Sequence, residues 1–112
     1  MMKNVKVYLD DILDSIAKIE YYTKNSSREE FFKDELRQDA VIRRLAVIGE
    51  AVKGLPTELK KKFTDVPWRD IAGMRDFVVH EYSAVDLLKV WPVIETDLPD
   101  LREKIKKIYS SL

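Results

Sequence analysis

From Val5 the apolar residues recur at Tyr8, Leu9, Ile12, Leu13, Ile16 and Ile19, in steps of three and four that lie on one stripe of an α-helix. The spacing predicts a first helix to about Tyr22. Asn25-Ser26-Ser27 supplies a turn, and either Ser26 with Glu29 or Ser27 with Glu30 reads as a capping box at the entry of a second helix. Phe32, Leu36, Val41, Leu45, Ile48 and Val52 carry that helix as one long element to Gly54, where Gly-Leu-Pro stops it. Pro56 can open a short third helix over PTELKKKF, because its fixed φ and missing N–H are tolerated in a first turn.

Beyond Pro67-Trp68 the pattern restarts with Ile71, Met74, Phe77 and Val78 on the core side of a fourth helix, which should end near His80-Glu81-Tyr82. Ser83 with Asp86 marks the entry of a fifth, starting at about Ala84. Pro92 and Pro99 fall inside it, and each removes a backbone donor and crowds the preceding turn, so a kink or break is expected there. Leu101, Ile105, Ile108 and Tyr109 still share one face at the end. The sum is a single all-α domain over residues 1–112, a compact antiparallel bundle of four to five helices.

Composition narrows what such a bundle can do. The 112 residues hold 20 Lys+Arg and 20 Asp+Glu, so no global field draws the protein onto nucleic acid or an anionic membrane, and any contact with RNA has to be local. Cysteine is absent and histidine occurs once, which removes disulfides, thiolate chemistry and the usual transition-metal ligand sets. Asp10, Asp11 and Asp14 interrupt the apolar start that a secretory signal needs, and no run reaches the roughly 20 apolar residues of a membrane span. A soluble, cytoplasmic protein without a cofactor is expected.

Chemistry then centres on the single imidazole. His80 lies in Met74-Arg75-Asp76-Phe77-Val78-Val79-His80-Glu81-Tyr82, and imidazole is the side chain suited to both taking up and giving back a proton near neutrality. Arg75 adds a planar cation that can grip a phosphate through two hydrogen bonds. Positions five apart on a regular helix diverge by about 140° and about 7.5 Å, so Arg75 and His80 meet only across a cleft or where the helix has ended. Asp76, four residues before His80, shares its face and could orient the ring. Cleaving RNA without metal needs both a base and an acid, so a two-fold dimer that contributes a second His80 and Arg75 would complete the set.

These residues resemble a known family. Arg75, four residues, His80, one residue, Tyr82 looks like the R-x4-H-x-Y signature of HepT toxins within the HEPN superfamily. Ile48-Gly49-Glu50-Ala51 followed by Leu55-Pro56, then Pro67-Trp68-Arg69 ahead of Ile71, Gly73 and Met74, and later Val90-Trp91 and Asp97-Leu98-Pro99, resemble it in order and spacing from about Arg43 to Leu101. Where relatives commonly carry asparagine after the arginine, this chain has Asp76, which keeps a polar acceptor and adds a charge.

The resemblance implies a homodimeric, metal-independent endoribonuclease toxin in which His80 is general acid or base and Arg75 stabilises the phosphorane. It also implies a partner, a nucleotidyltransferase antitoxin of the MNT type that transfers AMP to the motif tyrosine, here Tyr82. The alternative is a catalytically silent HEPN scaffold that binds the nucleotidyltransferase. Outside the motif, Lys60-Lys61-Lys62 reads as a solvated run, Trp68 and Trp91 as core or interface anchors, Gly49 as a site of close helix packing, and Glu50 as a residue without assigned chemistry.

Overall fold

The computed structural model describes residues 4–76 and 84–112, with the side chains of 84–86 left aside. Helix α1 spans Val5–Thr23, opened by the side chain of Asn4, which accepts from the Lys6 N–H at 2.8 Å. Leu9, Ile12, Ile16 and Ile19 are completely buried along it, as the three-and-four spacing requires.

The second predicted helix is divided. Helix α2 covers Arg28–Lys33 and α3 covers Glu35–Gly54, with Asp34 between them in an extended conformation at φ −109° and ψ 90°. Local capping explains the break. Asp34 accepts the Arg37 N–H at 3.0 Å and so starts a new helix, while the buried Gln38 amide donates to the Phe31 carbonyl at 2.9 Å and satisfies the end of the old one. The break lets α2 take a direction of its own, and Phe31 is fully buried, 5.4 Å from the Trp91 ring centre. Ser27 with Glu30 makes the capping box, in both directions.

Helix α4 is Thr57–Lys62, with Pro56 at its N-cap, and α5 is Trp68–Ala72, continued by a 3₁₀ turn over Gly73–Arg75. Ile71 and Met74 are buried as expected; Phe77 and Val78, and the Ser83 cap ahead of the next helix, lie outside the described residues. Helix α6 spans Ala84–Pro92, and α7 spans Leu98–Ser110.

Between α6 and α7 the chain does not leave the helical path. Val93–Asp97 widens into a π turn in which the Leu98 N–H reaches the Val93 carbonyl. Two prolines seven residues apart each withdraw a donor, and the wider turn absorbs the loss while Pro99 enters the first turn of α7, where its missing N–H costs little. The apolar stripe therefore runs on through Leu87, Val90, Ile94, Leu98, Leu101, Ile105 and Ile108, all buried.

Packing follows from these stripes. Helix α3 lies along α1, α7 covers the other side of α1, and α5 with its 3₁₀ turn seats on α3. The result is an all-α bundle with one continuous core. Among the described residues, no helix is long and apolar enough to cross a membrane.

Candidate functional site

Arg75 is placed by a chain of local causes. The Trp68 indole donates to the carbonyls of Phe63, at 2.9 Å, and Lys60, at 3.2 Å, which ties the start of α5 to the end of α4. Buried Ile71 and Met74 then press α5 and the 3₁₀ turn onto α3. The approach is close because Gly49 faces the turn: a Cβ there would stand 2.9 Å from the Ala72 carbonyl oxygen, 2.9 Å from the Arg75 nitrogen and 3.2 Å from the Arg75 Cβ. Only a glycine lets the backbone carrying Arg75 rest directly on α3.

The next residue on α3 holds the side chain. Arg75 Nε meets Glu50 Oε1 at 2.5 Å, with the arginine side chain 45% and the carboxylate 56% exposed. An ion pair this open contributes at most about 1 kcal/mol to stability, so its consequence is orientation. A guanidinium has five N–H donors, more than one carboxylate can use, and the remainder stay available to an anion arriving from solvent. Asp76 follows at the end of the 3₁₀ turn, exposed, its N–H donated to the Gly73 and Met74 carbonyls.

Glu50 also lines an open groove of about 600 Å³ between α1 and α3, together with Tyr8, Asp11, Arg43 and Lys53 over a floor of Ala46, Val47, Ala51 and Gly54, so Arg75 is tied to this groove through Glu50. A Cβ at Gly54 would stand 2.6 Å from Tyr8 Cζ and closer still to Cε1, so the glycine makes room for the Tyr8 ring.

Of the four residues singled out in the sequence, Arg75 and Asp76 are neighbours at the end of the 3₁₀ turn, both exposed, and His80 and Tyr82 lie outside the described residues. Glu50, left without a role by sequence reasoning, is the residue in contact with Arg75. A signal for it exists in the pattern. Gly49 occupies a position on the buried stripe of α3, between Ile48 and Val52, where a large apolar side chain would otherwise stand. A gap in a core stripe marks a backbone coming close, and the residue at the rim of that gap is the one able to reach it.

The helical bundle and the seat of Arg75 define an all-α protein of the HEPN class. The family model described as "Ribonuclease HepT-like" matches residues 12–108, and the chain belongs to this HepT-like family. It is 47% identical over its whole length to half of a Methanocaldococcus jannaschii protein named "Gamma-glutamylcyclotransferase and putative RNase", so the chain spans about half the length of that relative. It is 40% identical to a "Probable ribonuclease HepT" of Thermococcus cleftensis, covering 96% of this chain and 98% of the relative. With a "Putative RNase" of Caldanaerobacter subterraneus it shares 41% identity, covering 96% of each chain. No solved structure gives a significant match.

Proposed function

We propose that this protein is a cytoplasmic endoribonuclease toxin that cuts RNA without a metal at a site shared by two copies of the chain. The observation that carries the reading is the placement of Arg75: a cation on a turn locked to α3 by Gly49, oriented by Glu50, and open to solvent beside a groove, in a chain whose family and relatives bear ribonuclease names.

On this reading His80 of one copy takes the proton of the RNA 2′-hydroxyl, whose oxygen attacks the adjacent phosphorus. Arg75 stabilises the negative charge that gathers on the equatorial oxygens. The P–O5′ bond then breaks, and the second copy's His80 gives a proton to the departing oxygen. Products are a 2′,3′-cyclic phosphate and a 5′-hydroxyl. Nothing in the scheme calls for a cofactor, and the single histidine per chain is the reason two copies are needed. Leu36, 83% exposed, and Leu88, 55% exposed, are apolar side chains that a second copy would cover.

Neutralisation follows the same chemistry. An MNT-type nucleotidyltransferase antitoxin transfers AMP from ATP to the Tyr82 oxygen, with release of pyrophosphate. The added phosphate and nucleotide then occupy space that the RNA phosphate requires, two residues from His80.

Expression of the wild type in a host lacking the antitoxin tests the reading. Growth arrest and RNA fragments ending in cyclic phosphate are expected, and both should disappear in His80→Ala and in Arg75→Ala while the melting temperature holds. A wild type that leaves RNA intact but captures a nucleotidyltransferase would make it a silent scaffold. Light scattering adds a second check, since a strict monomer that still cleaved would exclude the shared site.

A further inference from the structure

The groove beside Arg75 has a charge pattern that the cleavage chemistry does not use. Arg43, Val47, Glu50 and Lys53 follow one another at steps of four, three and three, so they lie along one face of α3. Arg43 and Lys53 stand toward opposite ends of this row, both exposed, and neither has an ion pair among the described residues. Arg28, Arg37, Arg75 and Arg102 each meet a carboxylate. The two carboxylates in the groove are already engaged, Glu50 with Arg75 and Asp11 by interactions of its own. The uncommitted charge in the groove is therefore positive.

Spacing adds a second constraint. Ten residues at a rise of 1.5 Å separate Arg43 and Lys53 by about 15 Å along the axis. This is the length of about four stacked nucleotides at 3.4 Å each, so two cations at that distance can hold two phosphates of one strand with bases between them. The floor suits the bases, since Ala46, Val47 and Ala51 offer apolar surface without bulk.

We infer that this groove is the track for a single RNA strand, with Arg43 and Lys53 each holding a backbone phosphate while the strand passes Glu50 to present the scissile phosphate to Arg75. The inference rests on the ribonuclease reading above and supplies what a chain of zero net charge otherwise lacks, a local surface that selects an anionic polymer.

The test uses an eight-nucleotide single strand with 2′-O-methyl groups, which binds but has no attacking hydroxyl, followed by fluorescence anisotropy over a series of KCl concentrations. The double change Arg43→Gln with Lys53→Gln should raise Kd about tenfold. It should also lower the slope of log K against log salt by about 1.4, at about 0.7 per phosphate contact on a single strand. With cleavable RNA, KM should rise several-fold and kcat stay within about twofold. A triple change of Lys60, Lys61 and Lys62 to Gln serves as the control and should leave Kd and slope as in the wild type.

Unchanged binding in the double variant, alongside a wild type that cleaves, would overturn the inference and leave the nuclease reading standing. So would a loss that appears only in the triple-lysine control. A double variant that binds RNA normally but no longer self-associates in sedimentation velocity would make the groove a protein interface. A wild type that neither binds nor cuts RNA would remove the ribonuclease reading itself, and the track with it.

Discussion

Replacing Gly49 with alanine sets two known effects against each other, and the structure decides which prevails. In an exposed helix the change would stabilise the protein by about 0.5–1 kcal/mol, since glycine is the poorer helix former. Here the new Cβ meets the Ala72 carbonyl oxygen and the Arg75 nitrogen, each at 2.9 Å, and both are backbone atoms that no rotamer change can move aside. Ordinary contact begins near 3.4 Å, so the turn must retreat by 3.4 − 2.9, which is 0.5 Å. Overpacking of this kind costs about 1–3 kcal/mol. Because backbone must shift, the upper part of that range applies, and the net loss is about 1–2 kcal/mol. For a chain of this size that lowers Tm by about 4–8 °C.

The neighbouring glycine provides the contrast. Gly73 has a helical conformation at φ −68° and ψ −13°, and among the described residues nothing stands within 4 Å of where its Cβ would be. Gly73→Ala should therefore raise Tm by about 2–4 °C, from the propensity term alone. Circular dichroism melts of the two variants should move in opposite directions. Because a misplacement of about 1 Å at a reacting group costs about 100-fold, a retreat half as large at Arg75 should slow RNA cleavage by Gly49→Ala about tenfold. A Gly49→Ala protein that melts at or above the wild-type temperature and cleaves at the wild-type rate would refute the claim that Gly49 seats the turn.

Glu50→Ala should move Tm by no more than a few degrees, because the pair it breaks is half exposed, yet it should slow cleavage about tenfold; Glu50→Gln, whose amide oxygen can still accept from Nε, should retain much of the rate, and equal activity in all three proteins would deny Glu50 a positioning role. Ser15→Ala should stabilise by about 1 kcal/mol in a urea titration, since the Ser15 hydroxyl is fully buried without a hydrogen-bond partner among the described residues, and a loss of stability there would show that the hydroxyl is satisfied in solution. Ser27→Ala should cost about 1 kcal/mol at pH 7. The Ser27 N–H and hydroxyl hold the Glu30 carboxyl below the ordinary glutamate value of 4.5. A lowered folded pKa means the carboxylate's contribution is complete above that value and fades as pH falls through it, so the difference between Ser27→Ala and wild type should narrow between pH 6 and pH 3; a constant difference would remove Glu30 from the cap.

Most of the fold was legible because a one-sided helix writes its core in steps of three and four. Ile12, Leu45 and Ile105 are buried with most of their stripes, but Leu36, which the spacing places on the core side of the second helix, is 83% exposed. The break at Asp34 was not legible, because Phe32 and Leu36 continue the helical spacing as if one helix ran through; in the structure Phe31 takes the buried place and Leu36 faces solvent. What ends α2 is a side-chain cap at Arg37 and an amide reaching back seven residues from Gln38, and neither alters hydrophobic periodicity. The π turn escaped for a related reason. Proline predicts the loss of a hydrogen bond but not whether the chain meets that loss by breaking or by widening, and buried Ile94 and Leu98 on either side favour the solution that keeps both in the core.

The same distinction separates Arg75 from Glu50. Arg75 stands out in sequence because its chemistry is written in its residue type and in its spacing to His80. Glu50 does not, because its importance comes from a neighbour 25 positions along the chain, and one carboxylate among 20 acidic residues carries no mark of its partner. Gly49 is the trace the partnership leaves: a core stripe gives up a side chain only where something has to come closer than a side chain allows. If that trade was made to seat Arg75, sensitivity to substitution should be shared by Gly49, Glu50 and Arg75 as a unit. Gly49→Ala combined with Glu50→Ala would then slow cleavage by much less than the product of the two separate effects, because each already releases the same guanidinium. Full multiplicative loss would mean that the two residues act on the site independently.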